Sequence, residues 1–173
     1  MNAVSRPHRE IPNPQVLDAA KQFRDGFSVM LAQPPLSGVL LPALHCASIA
    51  LELYLKALSA RDLEVPDSAF PGGAYIYAKA STQSHKLQEL FDHAPTNIQQ
   101  LIENGLSGTS RLSRHFYTVR EALEAHNAMF MASRYPFEPS SELSNVDIGA
   151  LGEMLALLDT AIQTATHRWV PQA

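Results

Sequence analysis

A single cysteine, Cys46, stands among the 173 residues, so no intramolecular disulfide can form and a reducing compartment suits the chain. Basic charge is also scarce: 13 Lys and Arg against 17 Asp and Glu give a net charge of -4, which argues against a chain-wide electrostatic glove for nucleic acid. Any polyanion site must then be a local patch. The first residues, Met1 to Pro14, carry charges and prolines but no apolar signal core, so the expected location is cytoplasmic, with a flexible tail over 1–13. There is no HExxH, no cysteine pair and no glycine-rich phosphate loop, and the seven histidines do not cluster with carboxylates at metal-ligand spacing. The expectation is therefore no cofactor and no metal ion. Strand signals are sparse.

What remains is helical periodicity in one domain, 14–170. Val16, Leu17, Ala20, Phe23, Phe27, Met30 and Leu31 draw a stripe at a 3.6-residue period, predicting a helix over 14–32 that Pro34-Pro35 ends. From Ala32 to Leu51 no residue is formally charged. Prolines, Gln33 and His45 interrupt this stretch and Glu52 and Lys56 follow it, so it reads as a buried central helix over 36–61 and not as a membrane span. Residues 62–83, with Pro66, Pro71, Gly72 and Gly73, read as a long connection and a candidate lid, with a short extended piece near 74–78. Short helices follow over 85–93 and 97–106. A long one is predicted from Thr109 or Ser110 to Arg134, stopped by Pro136; after a linker at 139–145 a last amphipathic helix spans 146–169. The expected fold is an all-α antiparallel bundle of four long helices and one or two short ones.

Three features could carry chemistry. His45, Ser48, Glu52, Lys56 and Ser59 recur every three or four residues and so share one face of the central helix, either a ligand-facing or dimer-facing stripe or a solvated edge. Arg111, Arg114 and Arg120, with His115 among them, form a basic island at a helix start, where a phosphate could sit; solubility alone is the other reading. Arg120 and His126 lie to either side of Leu123 on the buried stripe, and both border the buried face. An arginine can stabilise charge on a phosphoryl group and a histidine can move a proton near neutral pH. The alternative is a core-edge histidine and a surface ion pair.

Ser48-Ile49-Ala50-Leu51-Glu52-Leu53-Tyr54-Leu55-Lys56-Ala57-Leu58 resembles the matching helix of the HEPN superfamily of helical bundles. Ser84-His85-Lys86-Leu87 is similar to the Gly-His-x-Leu opening of its short helix, and the segment from Asn127 to Glu138, with Arg134-Tyr135, is similar to the ending of its late helix. The resemblance implies a homodimer. In active members it also implies metal-independent RNA cleavage by an arginine followed, four to six residues on, by a histidine. Arg120 and His126 match, with Arg111, Arg114, His115, Asn127 and Arg134 as expected substrate contacts. The arginine is commonly followed by a small polar residue, and here by Glu121. A nucleotidyltransferase-like or antitoxin partner in a toxin–antitoxin or defence setting is also implied. The alternative is a noncatalytic module for protein interaction or for small-ligand or nucleotide binding.

Overall fold

The structure, a computed structural model, describes residues 4–5, 8–66, 73–134, 146–165 and 168–171. It is predominantly α-helical. Three long helices form its frame: α1 (Pro14–Leu31), α2 (Leu40–Ala57) and α8 (Ile148–Thr164). Between α2 and α8 come α3 (Leu87–Asp92), α4 (Thr96–Leu106), α5 (Leu112–His115), α6 (Val119–Ala125) and α7 (Met129–Arg134). Short strands β1 (Val4–Ser5), β3 (Arg61–Pro66) and β4 (Ala74–Lys79) make one antiparallel sheet in the order β1-β3-β4, and β2 (His8–Ile11) pairs with β5 (Arg168–Pro171) in another.

α2 is the central element because it is apolar nearly all round. Leu51, Tyr54 and Leu55 are wholly buried and meet Leu151, Met154, Leu155 and Leu158 of α8 in the core. Among the described residues α2 alone is long and apolar enough by composition to cross a membrane (mean hydropathy 1.3), but half of it is buried inside the fold, against α1, α7 and α8. Asn13 fixes the entry to α1. Its side-chain Oδ1 accepts the Val16 N–H (3.2 Å), its Nδ2 donates to Asp62 (2.7 Å), and its own N–H donates to the Ala57 carbonyl (2.7 Å). One buried asparagine thus joins the starts of α1 and β3 to the end of α2.

Several expectations are corrected. Within the tail expected over 1–13, the described residues are tied down: Val4 and Ser5 pair with Glu64 and Leu63, His8–Ile11 pairs with Arg168–Pro171, and Ile11 and Asn13 are buried. The connection at 62–83 contains a hairpin, with Arg61–Pro66 set against Ala74–Lys79; residues 67–72 lie outside the described residues. At the hairpin's outer edge the Gln15 side-chain amide donates to the Ile76 carbonyl (3.3 Å) and accepts the Ala78 N–H (3.2 Å). The last helix ends at Thr164, since the chain beyond finds a strand partner in β2. The linker at 139–145 lies outside the described residues.

The single long helix expected from 110 to 134 is three short ones. Phe116 and Thr118 are extended, and Thr118 starts a new helix through a capping box: its side chain accepts the Glu121 N–H, and Glu121 reaches back to the Thr118 N–H. A second break follows at His126, the C-terminal cap of α6. Among the described residues the long helices number three, not the four expected, with α4, at 11 residues, intermediate in length.

Candidate functional site

The two breaks flanking α6 create a cavity of about 360 Å³ beside the start of α8. Its wall is mostly apolar, with Phe116, Met129 and Val146, and its polar groups are His115, His126 and Asp147. The two imidazoles therefore share one space, although the single helix expected to carry both is broken.

Their environments differ. His126 is only 8% exposed and its Nδ1 lies 2.6 Å from the Ala122 carbonyl oxygen. A carbonyl can only accept, so Nδ1 carries the proton and, in the neutral ring, Nε2 keeps the lone pair. Burial holds the His126 pKa below its ordinary value, against the opposing pull of the Ala122 carbonyl and the Asp147 charge. His115 is more than half exposed, with Nε2 3.9 Å from Asp147. Asp147 caps α8 by accepting the Gly149 and Ala150 N–H groups (2.8 and 3.0 Å) and takes a guanidinium N–H from Arg111 (3.2 Å). The Ala150 N–H, ahead of the opposing desolvation, holds its carboxyl below the usual range. Arg111 lies so close over Gly149 that a Cβ there would collide with its guanidinium, so glycine is what permits this approach.

Arg120 is not part of this cavity. It projects from the first turn of α6 and donates to both Asp92 oxygens, Nε at 3.2 Å and an Nη at 2.8 Å, and this pairing raises its pKa. Glu121, beside it, has turned its carboxylate to the Tyr117 and Thr118 N–H groups (3.0 and 3.3 Å), so the acid is a helix cap. Arg114 is exposed and makes no ion pair among the described residues. Asn127 accepts the Leu87 N–H (2.7 Å) and donates to Gln88 (2.5 Å), capping α3 from another element. Arg134 ends α7, and its side chain lies outside the described residues.

The helix start expected to receive a phosphate is already occupied. The Glu153 carboxylate accepts the N–H groups of Ser110, Arg111 and Leu112 (3.2, 2.7 and 3.0 Å) and the Ser110 hydroxyl (2.6 Å). These bonds overcome desolvation, the largest opposing influence, and bring its pKa down to about 2. At the next start Glu103 accepts the Val119 N–H (3.1 Å).

The chain matches no family model, no curated protein and no solved structure.

The polar stripe of α2 is internal wiring. His45 approaches Ser133 (3.2 Å) and stacks on Phe130, while Glu52 takes Lys56 (2.5 Å) and His85 (3.0 Å). Among the described residues no group of three or more His, Cys, Asp or Glu is arranged to hold a metal. Asp147 and Glu153 were not singled out from the sequence. An Asp two residues before Gly149 at the start of an apolar helix was a readable cap; Glu153 gave no local sign, because its partners lie about 40 residues away.

Proposed function

We propose that this chain is a HEPN-like, RNA-associated domain, working as a homodimer in a toxin–antitoxin or defence setting beside a nucleotidyltransferase-like or antitoxin partner, and cleaving RNA without a metal at the His115–His126 cavity. The observation that carries the reading is two imidazoles on one cavity, one of them buried with its Nδ1 held 2.6 Å from the Ala122 carbonyl oxygen. Such a pair suits general base and general acid. His126 Nε2 takes the proton of a ribose 2′-hydroxyl, and the 2′-oxygen bonds to the adjacent phosphorus. The bond from phosphorus to the next 5′-oxygen then breaks, and a protonated His115 supplies the proton that oxygen needs. The products are a cyclic phosphate and a 5′-hydroxyl. Arg111, which donates to the cavity's Asp147 (3.2 Å), supplies a cation to the site; Arg120 contributes only after leaving Asp92.

The test is cleavage of mixed single-stranded RNA in the presence of chelator. His126→Ala, His126→Asn (which keeps a donor toward Ala122) and His115→Ala should each lose about 100-fold or more, and Arg120→Ala should retain most activity. Equal cleavage by wild type and the histidine variants, or none by any, removes the catalytic assignment.

One observation favours the second reading, a noncatalytic module for protein interaction or for small-ligand or nucleotide binding: the motif's arginine and the acid after it are both spent on structure, in the Asp92 pair and the Thr118 cap. RNA or nucleotide binding without turnover selects it.

A further inference from the structure

The most exposed apolar side chain described is Leu36, at 103% of its reference exposure, and it sits where a leucine is unwelcome. The Ser37 N–H donates to the Pro34 carbonyl (3.2 Å), which closes a tight turn with Pro35 and Leu36 at its centre. Leu36 has φ 69°, the left-handed region that glycine or asparagine occupies in a turn with proline at the preceding position. A Cβ makes this conformation costly, and a bare isobutyl group in water gains nothing to offset it. Val29, Leu31, Leu40 and Leu41, on the helix ends either side, are exposed as well, so the corner between α1 and α2 is an apolar patch and not one stray residue.

Its relief suggests the occupant. Leu36 itself lines a groove of about 510 Å³, together with Met30, Leu31, Pro34, Val39 and Leu40. Knob and groove side by side are what a twofold contact requires, because each copy then offers what the other lacks. Charge agrees: from Gly26 to Leu51 there is no Asp, Glu, Lys or Arg, so two identical corners meet without like-charge repulsion. A lipid surface would be served by cations flanking the corner, and the stretch from Gly26 to Leu51 supplies none.

We infer that the α1–α2 corner is a self-association face, with Leu36 of each copy seated in the groove of the other. This rests on the proposed reading only in taking the chain to be a homodimer; it assigns the face. The strained turn is then stabilised by burial in the dimer.

Sedimentation velocity from 1 to about 100 μM compares the full chain with Leu36→Glu and Leu36→Gly. The expected result is a wild-type dimer, with Leu36→Glu monomeric throughout. Leu36→Gly should show dimerisation weakened at least about tenfold and, in a dilute monomer, a higher denaturation midpoint than wild type, since glycine relieves the turn. A monomeric wild type, or a dimer insensitive to both substitutions, overturns the assignment. RNA cleavage by a wild-type monomer would leave the RNA reading standing while removing this one, and an intact Leu36-dependent dimer without RNA activity does the reverse.

Discussion

Tyr54 donates its hydroxyl hydrogen to Asp159 at 2.9 Å, joining α2 to α8 across the centre of the protein. The phenol is wholly buried, and burial first, then this bond, pushes its pKa up. The other Asp159 oxygen takes Arg24 from α1 and Gln163 from its own helix (2.6 Å), so one carboxylate binds the three long helices.

Asp159→Ala should therefore cost about 2 kcal/mol, because it strands the buried Tyr54 hydroxyl, while Arg24 keeps its second acid, Asp25, at 2.7 Å. Urea denaturation checks this, and a loss under about 1 kcal/mol would show that the three helices do not depend on the shared acid.

Glu153→Gln should cost about 1–2 kcal/mol at neutral pH, as three N–H groups and a hydroxyl exchange a charged acceptor for a neutral one. The folded pKa of about 2 lies below the ordinary 4.5, so wild-type Glu153 contributes its stability above 4.5 and loses it as pH falls toward 2. Denaturation midpoints between pH 6 and pH 3 should converge for wild type and variant; parallel curves would count against the carboxylate's role.

His126 carries the opposite proton preference to a salt-bridged histidine. Its folded pKa is depressed below 6.5, so the unfolded chain binds the extra proton first, and stability present above that value falls as pH drops below it. His126→Asn should flatten the profile in this window. An unchanged slope between pH 7.5 and 5 would place the sensitivity elsewhere.

Gly105 and Leu157 give a sign reversal. A Cβ on Gly105 would collide with Leu157 Cδ1 where α4 crosses α8, so Gly105→Ala should destabilise by about 1–3 kcal/mol despite alanine's better helix propensity. With Leu157→Ala already present, the same change should stabilise by about 0.5–1 kcal/mol. A double-mutant cycle showing the same sign in both backgrounds refutes the contact.

The helical character, the span of α1 and the central place of α2 were readable, since they follow from local periodicity and from prolines that cannot continue a helix. The β2–β5 pairing was not, because its partners lie at opposite ends of the sequence, and the β3–β4 hairpin hid among prolines and glycines. Thr118-x-x-Glu121 has capping-box spacing inside the expected long helix, while the apolar stripe through Val119 and Leu123 runs on across that start, so periodicity alone does not show the break. Spacing set Arg120 and His126 alike at the border of the buried face, whereas the structure buries His126 and leaves Arg120 half exposed. Nor could spacing reveal that Asp92, 28 residues from Arg120, would hold that guanidinium.

The amide of Gln15 has a wider consequence. By meeting Ile76 and Ala78 as a neighbouring peptide unit would, it ends the β-sheet with a side chain borrowed from a helix, and no foreign strand can zip onto that edge while it stays. Should the opening turn of α1 fray, the strand that carries Tyr75 and Tyr77 loses this cover, so the guard on one edge of the sheet is a residue outside the sheet altogether.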